Sequence, residues 1–346
     1  MDQRQDDETF MRAALTEAAK GRGRTSPNPA VGAVLVINRE IVARGYHQAA
    51  GAPHAEVECL RAFGSPVPPD ATLYVTLEPC STFGRTPPCT QLLIDAGVKH
   101  VVIGAHDPNP AHAGRGLELL RCAGISVRSD VLAAECTALN EPFNKWITTK
   151  RPFVIAKCGM TLDGRLTRPP GEERWITSAA SRRHANQFRA EVDAILIGAE
   201  TLRADDPQLT ARAVRKARQP WRVILTRSGR LPKNARVFTD RFADRTVVLK
   251  DQPLAAALDE LGRRNITSVL IEGGGDILGQ ALDARLIDRV HIYLAPLFSG
   301  GDVVAFPGKG AAATAAALRL RDVRYERIGQ DIFIDGKAAY EAAPSE

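Results

Sequence analysis

Aromatic residues are scarce in this sequence, at 5% of 346 residues. Its basic residues are dispersed, with no dense run of them interleaved with aromatics. Both features argue against a nucleic-acid-binding surface. The longest apolar run, residues 30–37, has the length of a strand. It falls far short of the ~20 residues that cross a bilayer. Residues 1–8 are acidic and have no apolar centre, so no secretory signal is expected, and a cytoplasmic protein is. Six cysteines, at 59, 80, 89, 122, 136 and 158, are too few for a disulfide framework. A reducing compartment leaves their thiolates available to a metal. Cys59, Cys122, Cys136 and Cys158 sit in apolar or helical contexts and read as packing.

The composition is that of a globular protein, 44% hydrophobic and 25% charged. Its length suggests two domains, because single cores stop growing near ~250–300 residues. Charge is unevenly shared: residues 1–150 carry a net of −1 and residues 151–346 a net of +7. The basic half suits an anionic small ligand such as a phosphate or a dinucleotide. A solvated basic surface is the alternative reading.

The hydrophobic pattern predicts helices over 54–63, 90–96, 116–123 and 132–140, after an N-terminal helix capped by Asp6 or Asp7. It predicts a hairpin of 31–37 and 41–45, then strands at 72–77 and 98–104. Strands separated by helices imply an α/β sheet covered on both faces. The pattern restarts after residues 148–152, placing domains at 1–148 and 152–346. The second half reads as strands at 153–156, 194–198, 222–226, 246–249, 268–272, 289–295, 322–328 and 331–334, with helices at 178–191 and 277–282. Residues 311–317 read as helix or loop.

The strongest chemical signal is His54-Ala55-Glu56, then Pro79-Cys80, then Cys89. One imidazole and two thiolates make a tetrahedral zinc site whose fourth position is left for water. Glu56, two residues beyond His54 at the start of a helix, reaches the same cavity and is the candidate proton shuttle. This is the arrangement of zinc-dependent base deaminases. The spacing departs from their general signature, since eight residues rather than two separate Cys80 from Cys89. Such a loop forms an extra wall of the substrate pocket and brings a cation, Arg85.

With these motifs stand Pro27-Asn28-Pro29, Gly45-Tyr46-His47, Gly84-Arg85-Thr86-Pro87-Pro88-Cys89 and Asp107-Pro108-Asn109-Pro110. Together they resemble the bifunctional pyrimidine deaminase/reductase family of riboflavin biosynthesis. The resemblance implies a cytidine-deaminase-like α/β/α domain and zinc-dependent deamination of 2,5-diamino-6-ribosylamino-4(3H)-pyrimidinone 5′-phosphate at its 2-amino group. It also implies that Asn28 and His47 contact substrate. The family often has His where this sequence has Thr82.

In the second half, Glu272-Gly273-Gly274-Gly275-Asp276 lies between an apolar strand and a helix, a context that lets backbone approach a phosphate. By itself it reads equally well as a tight turn. Leu278 occupies the place of the third glycine in a dinucleotide fingerprint. The stretches 157–165, 175–178 and 198–210 resemble the same family's reductase domain, which implies a dihydrofolate-reductase-like α/β fold that binds NADPH without that fingerprint. Carried over by position, Gly159, Trp175, Thr201, Asp205, Gly274, Gly275, Asp276, Ile277, Leu278, Gly279 and Gln280 are the implied NADPH contacts. Lys157, Glu173, Arg189, Leu209, Arg212 and Glu272 are the implied substrate contacts, Lys157 also being a proton-transfer candidate. Glu173 stands where the family often has Ser.

The expectation is therefore two consecutive activities in one homo-oligomeric chain acting on a small phosphorylated pyrimidine, with no nucleic acid or membrane partner. A deaminase carrying a degenerate reductase-like module is the alternative, and a nucleic-acid base deaminase is disfavoured by the dispersed charge.

Overall fold

The computed structural model describes residues 3–83, 87–110, 112–167, 175–212 and 218–340. The chain divides into two compact units, Met1–Lys150 and Arg151–Glu346.

The first unit runs α1 (Gln3–Ala19), β1 (Gly32–Ile37), β2 (Glu40–Tyr46), α2 (Ala55–Phe63), β3 (Thr72–Leu77), α3 (Cys89–Asp95), β4 (His100–Ala105), α4 (Arg115–Cys122), β5 (Ser126–Arg128), α5 (Ala133–Leu139) and α6 (Glu141–Thr149). Its sheet has the order β2-β1-β3-β4-β5. β1 is antiparallel to both β2 and β3, whereas β3, β4 and β5 are parallel. Asn38 and Arg39, with φ of 50° and 66°, make the two-residue turn of the β1–β2 hairpin.

Alternation along the strands sends residues to two cores. Val34, Val36, Tyr74 and Val102 pack under Phe10, Met11 and Ala14 of α1. Ala33, Leu35, Leu73, Val75, Val101 and Ile103 pack against Ala55, Cys59, Leu93, Leu117 and Leu120 on the opposite face. The result is a three-layer α/β/α unit. α2 lies close on β2: a Cβ at Gly45 would stand 2.3 Å from Cys59 N. Two expectations need correction. Neither Asp6 nor Asp7 caps α1, which begins earlier. Asp7 is buried inside the unit and accepts hydrogen bonds from Tyr74 Oη (2.8 Å) and from Arg128 Nε and Nη2 (both 2.9 Å). The sequence reading also missed α6.

The second unit runs β6 (Phe153–Thr161), α7 (Ala179–Glu191), β7 (Ala194–Gly198), α8 (Ala199–Asp205), β8 (Trp221–Thr226), α9 (Arg236–Thr239), β9 (Thr246–Lys250), α10 (Leu254–Arg263), β10 (Ser268–Glu272), α11 (Gly275–Asp283), β11 (Arg289–Ala295), β12 (Arg319–Ile328) and β13 (Asp331–Ala339). Its eight-stranded sheet has the order β12-β13-β11-β6-β10-β7-β8-β9. The six strands from β11 to β9 are parallel, and β13 is antiparallel to both β11 and β12. Leu254, Ala257, Leu258 and Leu261 of α10 join Ile277, Leu278 and Ala281 of α11 in the core of one face. Ile195, Ile197, Ile224 and Leu270 build the core of the other. Ser178 caps α7, its Oγ accepting from Ser181 N. β6 runs past residue 156 to Thr161, because its ladder with β11 continues across Lys157 and Gly159. Of residues 311–317, Thr314–Ala316 form a 3-10 turn. No described helix is long and apolar enough to cross a membrane.

Candidate functional site

Three loops of the first unit bring the metal-ligand candidates together. His54 is the N-cap residue of α2, with φ −72° and ψ 166°. Cys89 opens α3 behind an extended Pro88. Cys80 lies three residues beyond the end of β3. Their donor atoms all lie within 4.8 Å of one another, and among the described residues no fourth His, Cys, Asp or Glu joins them. His54 Nδ1 is 3.2 Å from Cys89 Sγ and 3.6 Å from Cys80 Sγ. A tetrahedral zinc with the usual bond lengths needs nitrogen and sulfur about 3.5 Å apart, so this donor set fits Zn²⁺ as it stands.

The Cys80 thiol is drawn down to about 4, first by its hydrogen bond with Cys89 and then by His54. Cys89 is pushed up by that same hydrogen bond and by burial. Glu56 is 3% exposed, and burial raises its carboxyl above the usual range. His54, Cys80 and Glu56 line a cavity of about 330 Å³ with Asn28 and His47, and Cys89 is buried behind them. His47 Nδ1 is 3.0 Å from Pro53 O, and Asn28 Nδ2 is 3.1 Å from His47 Nε2. Burial lowers the pKa of His47, which favours the neutral ring. In that state Nδ1–H donates to Pro53, Nε2 accepts from Asn28, and Asn28 Oδ1 is left to accept from a ligand.

In the second unit, Thr201, Gly274, Asp276, Ile277 and Gln280 line a cavity of about 430 Å³ at the N-terminus of α11. Gly273 and Gly274 have φ of 73° and 72°, and a Cβ at Gly274 would stand 2.9 Å from Thr201 Oγ1. The backbone is thus bare where it meets the cavity, and Arg203 and Arg227 supply positive charge on the cavity wall. This fits the phosphates of a dinucleotide. On the adjoining strands Lys157 pairs in register with Glu272 and His291. Arg189 donates to Glu272 through Nε (2.8 Å) and Nη2 (2.6 Å), and through Nη1 to Thr210 O at 3.2 Å. Burial alone would raise the pKa of Glu272, but the Arg189 charge outweighs it and the net shift is downward.

Residues 4–105 match the family model described as the cytidine and deoxycytidylate deaminase zinc-binding region, and residues 152–334 match the RibD C-terminal domain. Riboflavin biosynthesis protein RibD of Escherichia coli is 38% identical over 94% of this chain and 98% of its own length. That of Aquifex aeolicus is 39% identical over 96% and 98%. The chain belongs to the RibD family of riboflavin biosynthesis. The solved structure of Acinetobacter baumannii RibD superposes with a TM-score of 0.89 at 36% identity, covering 97% of this chain and all of that one. A Thermotoga maritima diaminohydroxyphosphoribosylaminopyrimidine deaminase/5-amino-6-(5-phosphoribosylamino)uracil reductase gives 0.89 at 36%, covering 98% of this chain and all of that one. Like other RibD proteins, this chain joins a zinc-dependent deaminase to an NADPH-dependent reductase. Its reductase unit has the dihydrofolate-reductase-like fold.

Several implied reductase contacts lie outside the α11 cavity. Leu278 is wholly buried in the core, and a Cβ at Gly279 would stand 1.6 Å from Pro307 O. Gly275 packs against Val304 O in the same way, and Gly159 against Thr177. Trp175 is half exposed beneath the Arg182 guanidinium, 4.8 Å from its ring centre, so it is not a core residue. Asp205 ends α8, while its neighbour Asp206 binds Arg236. The Leu209 side chain is buried in the core with a strained φ of 50°. Arg189 is paired with Glu272, another of the implied substrate contacts. Arg212 is exposed, its N–H donating to Asn186 Oδ1 at 2.6 Å. Glu173 and Arg85 lie outside the described residues. Sequence reasoning assigned no role to Asp107, Asn109, His112, Phe143 or Trp146, all of which line the deaminase cavity. It likewise passed over Thr226, Arg227 and Ser228 at the carboxyl end of β8, where ligands gather in open α/β sheets.

Proposed function

We propose that residues 1–148 carry out hydrolytic deamination of 2,5-diamino-6-ribosylamino-4(3H)-pyrimidinone 5′-phosphate, and that residues 152–346 reduce the ribosyl chain of the product. The observation that carries the reading is the convergence of His54, Cys80 and Cys89 within 4.8 Å of one another, at a cavity that His54, Cys80 and the buried Glu56 line.

Zn²⁺ held by these three residues supplies the Lewis acidity that makes water a nucleophile at neutral pH. The Glu56 carboxylate accepts a proton from the water whose oxygen bonds to C2 of the pyrimidine. It passes that proton to the ring nitrogen, then takes the proton of the new C2 hydroxyl and passes it to the amine, so that ammonia leaves as the C2–N bond breaks and the C2 carbonyl forms. Asn28 Oδ1 and the Asn28–His47 pair orient the base. Phe143, Trp146 and Ile147 supply the apolar wall that excludes bulk water.

In the second unit, the α11 N-terminus with Thr201, Gly274 and Gln280 holds the cofactor phosphates. NADPH supplies the hydride. Lys157 delivers the proton at the opening ribose oxygen. The Arg189–Glu272 pair fixes residue 210 and the strand carrying Glu272. A cytoplasmic location accords with the free thiols and with NADPH as reductant.

Incubation of the purified chain with the diaminopyrimidinone phosphate tests the reading. Without NADPH, mass spectrometry should find NH exchanged for O. With NADPH, two hydrogens should be gained as well. A substrate that is unchanged in both arms would refute it.

A further inference from the structure

Glu78 is the first residue after β3 and stands two places before Cys80. Its side chain is buried and accepts three main-chain hydrogen bonds. Oε2 accepts from Asp107 N at 3.2 Å and Gly114 N at 3.1 Å, and Oε1 accepts from Gly116 N at 2.9 Å. His106 Nδ1 lies 3.7 Å from Oε2. The three N–H groups come from the two ends of one excursion, which leaves β4 after Ala105 and enters α4 at Arg115.

Several of the hydrogen bonds inside that excursion are local turns. His112 N and Ala113 N donate to Asn109 O, Arg115 N donates to His112 O, and Asn109 N donates to Asp107 Oδ1. None of these turns fixes the excursion to the sheet; Glu78 does. The far end is pressed onto the same stretch, because a Cβ at Gly116 would stand 2.3 Å from Pro79 O and 3.1 Å from Glu78 Oε1. Between the two clamped ends, Asn109 and His112 line the cavity that holds His54, Glu56 and Cys80, and Thr82 Oγ1 lies 3.5 Å from His112 Nδ1.

We propose that Glu78 is a positioning residue for deamination: by closing both ends of the 107–116 excursion it holds Asn109 and His112 against the substrate. This rests on the deaminase reading of the cavity. An ionised carboxylate accepts at both oxygens, and so satisfies all three N–H groups at once. A glutamine of the same shape turns one oxygen into a donor that faces an N–H, which frees one end of the loop.

The test is Glu78→Gln in the full zinc-loaded chain. Its KM for deamination should rise about tenfold while kcat stays within about threefold, the pattern of lost substrate binding. Zinc content and NADPH-dependent reduction of separately supplied deaminated substrate should be unchanged. A structural role alone would not predict the second result. Asn109→Ala should also raise KM, and the double variant Glu78→Gln/Asn109→Ala should be little worse than the weaker single one, since both act through the same contact. An unchanged KM with zinc retained, or multiplied effects in the double variant, would overturn the proposal. Should Glu78→Gln fold poorly, Gly116→Ala disturbs the same junction from the loop side. A raised KM there supports the proposal, and a wild-type KM overturns it. Turnover by the wild-type chain in the same assay tests the deaminase reading separately.

Discussion

Arg189 and Glu272 hold each other through two parallel hydrogen bonds, with side chains 15% and 10% exposed. The pKa of Glu272 is depressed below its ordinary 4.5, burial opposing and Arg189 outweighing it. A group lowered on folding contributes stability that is present above its unfolded pKa and lost as pH falls through the folded one. Removing one charge from such a pair costs about 3–5 kcal/mol, because its partner is left buried alone. Glu272→Gln should therefore lower the unfolding midpoint of the second unit clearly at pH 7. The gap to the wild type should narrow below pH 4.5 as Glu272 itself takes up a proton. Thermal unfolding followed at several pH values checks both. The zinc ligands were legible because a His, two Cys and a nearby Glu are rare partners with one chemistry. Glu78 was not legible, since a carboxylate that accepts main-chain N–H groups leaves no pattern of residue types. Asn109 was quoted for its motif, yet only the fold shows that it faces the cavity.

Helices and strands with clean periodicity could be read directly: β3, β7, β10 and β11 fall where the apolar runs place them. α6 was missed because Pro142 and the run of Thr at its end obscure a short pattern, although Phe143, Trp146 and Ile147 share one face. α10 was passed over as well, although its buried residues recur at 254, 257, 258 and 261. The glycines before α11 were ambiguous in sequence, and their positive φ beside Thr201 gives them a geometric reason. Gly274→Val adds a branched side chain at φ 72°, within 2.9 Å of Thr201 Oγ1. The dissociation constant for NADPH, measured by fluorescence titration, should rise tenfold or more, about 1.4 kcal/mol or above. Zinc content and deamination should stay at wild-type levels. Equal NADPH affinity in a folded variant would reduce this loop to a tight turn.

At the scale of the whole molecule, two units with separate cores, Met1–Lys150 and Arg151–Glu346, carry two chemistries. The division of charge was visible in the sequence, as was the restart of the strand pattern. All eight strands of the second sheet were visible too, but their order was not, because pairing between strands distant in sequence is set by tertiary packing. Removal of metal by a chelator should abolish deamination and leave NADPH affinity unchanged, since the implied zinc ligands all belong to the first unit. Restoration by added Zn²⁺ would complete that test.

The central claim is that Glu56 moves protons at one site while reduction proceeds at another. Glu56→Gln keeps the shape of the side chain but cannot carry a proton. With zinc content confirmed, deamination should fall by ~10²–10⁴-fold, the usual range for a general acid–base group. Reduction of separately supplied deaminated substrate should continue at the wild-type rate. Deamination that persists in the zinc-loaded variant, or reduction that falls with it, would contradict the account.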